Sequence, residues 1–263
     1  MAAEREDGLN LPKEFSSSEI IAAVTQSLEE QADDLEYKAG VSRTVPGAPK
    51  TFGVRVPKLR AIAKTLVKQY RSQSERLIDL SLQLWEEGSR EHRLLALFVL
   101  AGLKKKLPPA KRWELGVDFL PDIADWELCD QMCHALLGQA LAEAPGYMDR
   151  LEQWLDDENF WVRRAALVST ILLRRAKYAE PLASELDKRA LAMCAQLLGD
   201  EEHYIRKAVD WSVREVIKRH EDLAYGWMVD QAASDLSSIA RSTLKLASKK
   251  LPADRQKEIF TGS

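Results

Sequence analysis

The sequence predicts an all-α protein, an α-solenoid or superhelix of HEAT-like helical repeats, and three observations carry that prediction. Ala, Leu, Glu, Lys and Arg dominate the chain after residue 57, a mixture of strong helix formers. Apolar residues recur there at spacings of three and four, without the sustained alternation that marks a half-buried sheet. Finally, WVRRAA at 161–166 returns 43 residues later as YIRKAV at 204–209, a period expected of stacked helical pairs.

Taken in order, Ser16 to Ser18 precede the first helical run, EIIAAVTQSLEEQ. GVSRTVPGAPKT at 40–51 has two prolines and two glycines between helical patterns and reads as the longest loop, either functional or a plain linker. Pro57 suits a first helical turn, after which Leu59, Ile62, Ala63, Leu66 and Val67 form one apolar face. Leu94, Leu95, Phe98, Val99 and Leu103 form another, closed by Lys104–Lys105–Lys106, where a helix C-terminus favours cations. Pro108–Pro109 and Pro252 mark breaks. Each echoed motif follows an acidic cluster, Asp156–Asp157–Glu158 or Asp200–Glu201–Glu202, that suits the start of the next helix. Weaker echoes occur in EHRLLA at 91–96 and SIARSTL at 238–244. Residues 1–14 read as a flexible segment, 15–252 as a single repeat domain and 253–263 as a C-terminal tail.

With 263 residues, 46% of them hydrophobic, the chain can bury a sizeable core, which excludes a peptide hormone or a disordered tail. The 38 basic against 41 acidic side chains exclude a uniformly basic nucleic-acid coat but allow a locally basic face. Three cysteines, Cys129, Cys133 and Cys194, without paired spacing point to thiols in a reducing compartment. The acidic, polar start lacks the pattern of a secretion signal, and LLALFVLAGL at 94–103 falls short of the roughly 18 apolar residues of a membrane span. The expectation is a monomer away from membranes, in the cytoplasm with the nucleoid, or in the nucleus of a eukaryote.

Charged residues follow three tryptophans at helical spacing: Asp130 after Trp126, Arg164 after Trp161 and Arg214 after Trp211. On a helix each pair shares a face, as a groove receiving a sugar-phosphate backbone or a cation would require, or as a core indole beside a solvated rim would also produce. Arg163, Arg164, Arg206, Lys207 and Arg214, then Arg241, Lys245, Lys249 and Lys250, form a positive stripe if repeats stack in register. A ladder neutralising the acidic turns is the alternative, above all for Arg163 and Arg206. Asp130, beside an apolar turn, could stabilise a developing cation or orient a water, or it could pair structurally with a neighbouring base. GxSxG, GxxxxGK, GxGxxG and HExxH are absent from the sequence. Cys129, Cys133 and His134 lack a CxxC, so buried thiols are favoured over zinc.

FGVRVPKLRAIAK at 52–64, LWEEGSREHRLLAL at 84–97, DWELCD at 125–130, NFWVRRAAL at 159–167 and HYIRKAVDWSVREV at 203–216 together resemble, in order, the AlkD family of DNA alkylation repair glycosylases. The resemblance covers about residues 15–252. It implies a superhelix holding duplex DNA that contains alkylated bases, and hydrolysis of the N-glycosidic bond of cationic purines such as 3-methyladenine or 7-methylguanine. It implies no cofactor, no metal and no flipped-base pocket. By similarity Asp130 is the catalytic carboxylate, and Trp126 and Trp211 pack against the damaged nucleotide. Arg164 holds a phosphate, Arg214 assists on that face, and Tyr37 and Arg55 lie in an N-terminal strip touching DNA. Lys207 and Arg241 continue the DNA-binding stripe. Relatives that bind DNA without excision leave a second reading: a non-catalytic module binding structured DNA or a protein. Asp125 departs from the pattern, because facing the groove it would oppose ionisation of Asp130 and repel phosphate.

Overall fold

The computed structural model describes residues 9–32, 35–44, 47 and 50–261. The described elements are helical, in the order α1 (Ser17–Glu30), α2 (Leu35–Thr44), α3 (Val56–Gln69), α4 (Ser74–Glu86), α5 (Arg90–Gly102), α6 (Pro109–Phe119), α7 (Trp126–Met132), α8 (Gly138–Glu143), α9 (Met148–Gln153), α10 (Phe160–Thr170), α11 (Leu182–Gln196), α12 (His203–Ile217), α13 (Glu221–Ala232), α14 (Ser238–Ala247) and α15 (Ala253–Thr261). A π-helical turn, Cys133–Leu137, follows α7. The protein is all-α, as the helical periodicity requires. Among the described residues no helix is long and apolar enough to cross a membrane. Contacts gather the chain into two compact units, Met1–Leu136 and Leu137–Ser263.

In the first unit α5 packs against α3, α4 and α7. Its residues Leu94, Leu95, Leu97, Val99 and Leu100 are fully buried, so this helix is apolar nearly all round because neighbours surround it. Ser89 caps α5 by accepting from the His92 N–H. Inside that first turn Glu91, fully buried, accepts from Thr51 Oγ1 at 2.7 Å and from the N–H groups of Phe52 (3.0 Å), Gly53 (2.8 Å) and Val54 (3.2 Å). One carboxylate thereby fastens the chain entering α3. Gly53 takes φ +93°, a left-handed conformation that glycine adopts without a Cβ clash.

In the second unit α12 packs between α10 and α14, while α11, α13 and α15 form an adjoining layer through α11–α13 and α13–α15 contacts. This is the stacking that the 43-residue echo predicts. Ala165, Ala166 and Ala208 are fully buried, the small residues that let α10 and α12 approach closely.

Three segment assignments are corrected. The loop expected over 40–51 is helical as far as Thr44, with Ser42 and Thr44 hydroxyls donating back to the Lys38 and Gly40 carbonyls. Glu36 in its first turn and Arg43 in its last complement the helix dipole, which outweighs the single Gly40. Residues 45, 46, 48 and 49 lie outside the described set. The expected tail is helix α15, held on α13 because Ile259 is buried and Arg255 pairs with Glu221 and Asp222 and covers the Tyr225 ring at 4.7 Å. Of the N-terminal segment read as flexible, residues 1–8 lie outside the described set. The part from Leu9 is docked: Leu9 and Leu11 are buried, and the Pro12 carbonyl accepts from Tyr70 Oη at 2.6 Å and Gln69 Nε2 at 2.8 Å.

Candidate functional site

The start of α7 places Trp126 and Asp130, on which the expected chemistry turns. Asp125 caps the helix by accepting from the Glu127 N–H at 2.7 Å, and the helix then sets half-buried Trp126 one turn ahead of Asp130 on the same face. Asp125 is 0% exposed and receives Arg90 Nε at 2.5 Å, while Arg90 also pairs with Glu127. Burial opposes the Arg90 charge, but Asp125 and Glu127 outweigh it and hold the guanidinium above its ordinary pKa. The negative charge next to Trp126 is therefore turned inward and matched. Asp130 is buried as well, at 8% exposure against 0% for Asp125.

Tyr37 and Arg55, expected in an N-terminal strip, lie against each other. The Arg55 guanidinium lies 4.8 Å from the centre of the Tyr37 ring, with Arg55 exposed and Tyr37 half-buried. Tyr37 also favours the charged form of Arg90.

Sequence reasoning missed a second basic feature of this unit. Arg60, Lys64 and Lys68 along α3, with Arg71 just past its end, follow one another by about a helical turn and wall a groove of about 550 Å³. Its apolar side includes Val67, Phe98 and Gly102, where an added Cβ would come 3.0 Å from Val67 Cγ2. Arg60 covers the Phe98 ring at 4.2 Å and donates from Nη2 to Gln131, the neighbour of Asp130, at 2.9 Å. Charges at i, i+4, i+8 and i+11 opposite the apolar face of α3 were the available signal.

In the second unit, Arg164 stands five residues past the cap of α10 and Lys207 five past the cap of α12, the register that Asp130 holds in α7. Arg164 is only 4% exposed and donates from Nη1 to the Tyr204 carbonyl at 2.6 Å, bridging α10 to α12. Trp211 is half-buried on α12, and Arg214, one turn on, pairs with Asp210 at 2.9 Å while remaining 38% exposed. Lys207 and Arg241 are both exposed. Trp161 is core: it is buried, with the Phe160 and Tyr204 rings 4.5 and 5.0 Å away. Of the three Trp–charge pairs, that one is structural.

The ladder reading holds for Arg163, which donates to Asp200 at 2.9 Å and to the carbonyls of Asp157 and Glu158. Arg206 finds no carboxylate among the described residues and donates instead to Thr243 and Ser242 hydroxyls, at 3.2 and 3.1 Å. Cys129, Cys133 and Cys194 are buried free thiols, and burial pushes Cys194 up to about 11.

Comparison with known proteins agrees with this architecture. A solved structure described as a predicted DNA alkylation repair enzyme from Enterococcus faecalis superposes with a TM-score of 0.66 at 21% identity, covering 84% of this chain and 97% of that one. AlkD2 from Streptococcus mutans gives 0.56 at 20% identity over 81% and 97%, and smu.31 from Streptococcus mutans UA159 gives 0.55 at 21% over 81% and 98%. At these identities the likeness is one of fold. No curated protein matches the sequence significantly. The family model for the DNA alkylation repair enzyme matches residues 24–251, nearly the whole described fold, and the chain belongs to that family.

Proposed function

We propose that the protein is a monofunctional DNA glycosylase that hydrolyses the N-glycosidic bond of N3- or N7-alkylated purines, such as 3-methyladenine and 7-methylguanine, in duplex DNA. The observation that carries this reading is the head of α7: Asp130, buried but for 8% of its surface, follows a half-buried indole by one turn, while the neighbouring Asp125, fully buried, is taken up by Arg90. A purine alkylated at these positions is already cationic and leaves readily, so the chief demand on the protein is the oxocarbenium-like sugar. The Asp130 carboxylate and the electron-rich face of Trp126 suit that positive charge, and Asp130 can also orient the attacking water; the family resemblance adds Trp211. Arg55, Lys207, Arg214 and Arg241, all with exposed charge, suit contact with phosphates. Arg164 presents less of itself, because its guanidinium is largely buried against Tyr204.

That engagement of Arg164, with the pairing of Arg214 to Asp210, favours the second reading, a non-catalytic module for structured DNA or a protein. Release of 7-methylguanine and 3-methyladenine from methylated duplex separates the two. The glycosylase reading expects release by the wild type, none by Asp130→Asn, and duplex binding by both. A wild type that binds duplex but releases nothing at high enzyme concentration establishes the second.

A further inference from the structure

We propose that the cavity between α12 and α14 is a binding site for closely spaced phosphate groups. It has a volume of about 410 Å³, and Arg206, Lys207, Lys245 and Lys249 line it together with His203 and Ser242. No carboxylate is among the lining residues.

The two stacked repeats show how the charge came to be uncompensated. Arg163 of α10 and Arg206 of α12 are equivalent positions of the 43-residue echo, and each reaches toward the residue 37 positions later. Arg163 meets Asp200 there and is neutralised, whereas Arg206 meets Thr243, which orients a guanidinium without cancelling it. Other arginines of the same unit are matched: Arg174 by Asp187, Arg189 by Asp149 and Glu152, Arg255 by Glu221 and Asp222. Lys207, Lys245 and Lys249 have no ion-pair partner among the described residues, although a helical turn separates Lys245 from Lys249 on one wall. Four cations converging on one hollow repel each other, and an anion of two or more adjacent phosphates relieves that repulsion. One fixed guanidinium with three mobile ammonium groups suits such a ligand.

Two sources share this chemistry: successive phosphodiesters of a nucleic-acid strand and a small oligophosphate. The strand assignment rests on the DNA-binding reading above but not on excision, since the cavity contains none of Asp130, Trp126 or Trp211.

The test uses the full chain, wild type against a combined Lys207→Ala, Lys245→Ala, Lys249→Ala variant and, separately, Thr243→Asp, which restores the acid that Arg163 has. Affinity is measured for inorganic tripolyphosphate by calorimetry and for unmodified duplex by fluorescence anisotropy between about 50 and 200 mM salt. A strand site predicts at least about a tenfold loss of duplex affinity at low salt in the triple variant, with the log–log salt slope shallower by about 2 to 3. Thr243→Asp moves both quantities the same way by less. Loss of tripolyphosphate binding with duplex affinity unchanged assigns the site to a small oligophosphate. Unchanged binding of both probes in the triple variant overturns the site. Because no lesion is present, these outcomes are independent of whether the protein excises bases.

Discussion

The head of α7 and the α12–α14 cavity treat charge in opposite ways. At α7 a buried arginine is shared by two carboxylates, and the matched charges hold the head of the helix that carries Asp130. Between α12 and α14 the cations stand together without acids, although the equivalent position one repeat earlier is paired. Matched charges inside this protein serve its architecture. Unmatched ones gathered around a hollow are positions where an outside anion completes the balance.

The sharpest way to break this contrast is Arg90→Ala. It leaves Asp125 buried without its counter-charge and is expected to lower unfolding free energy by about 3 to 5 kcal/mol, measured by denaturant titration. A loss below about 1 kcal/mol would show that the head of α7 does not depend on the matched charge. Asp130→Asn should do the reverse. Excision should fall by about 100-fold or more, while stability changes by less than about 1 kcal/mol. If unfolding shifts as much as activity, Asp130 is a structural acid like Asp125.

Trp126→Ala and Trp211→Ala sharpen the comparison among the indoles. Both are half-buried and should cost more in excision than in folding, whereas Trp161→Ala, from the buried aromatic cluster, should cost about 3 to 5 kcal/mol of stability. Equal destabilisation by all three would place every indole in the core.

The smallest effect concerns pH. Burial, the largest influence, holds His92 below its ordinary value of 6.5, against the pull of Glu87 and Glu91. The neutral ring bonds with Thr25 Oγ1 and Ser89 Oγ. The unfolded chain takes up this proton first as pH falls, so the His92 contribution is full above about pH 6.5 and declines below it. Denaturation midpoints across that range should fall less steeply for His92→Gln than for the wild type. Parallel curves would assign the acid sensitivity elsewhere.

The helical class was legible because a period of 3.6 is written into Leu59, Ile62, Ala63 and Leu66 and their counterparts. The repeat was legible because Trp161–Ala166 and Tyr204–Val209 occupy equivalent positions, all buried or half-buried except exposed Lys207. The family resemblance placed Tyr37 and Arg55 in one N-terminal strip, but not the ring contact between them. Three things were hidden. The first turns of the 40–51 segment read as loop because proline and glycine counts obscured the dipole-matched helix before them. Asp125 read as a liability for Asp130 because nothing local announces that a residue 35 positions earlier will neutralise it. Trp161 and Trp211 looked alike, since both are followed three residues later by arginine, yet Trp161 is buried among the Phe160 and Tyr204 rings and Trp211 is half-buried.

Taken alone, the order of residues determined which segments coil into helices, which faces of those helices are apolar, and that Trp126 and Asp130 lie one turn apart, because all of these depend on spacing within a few residues. The tertiary structure decided which charges are cancelled and which remain. That outcome depends on contacts 35 to 40 positions apart, Arg90 with Asp125, Arg163 with Asp200 and Arg206 with Thr243, which exist only once helices have stacked. A carboxylate and a guanidinium do chemistry or hold a fold according to what burial has placed beside them.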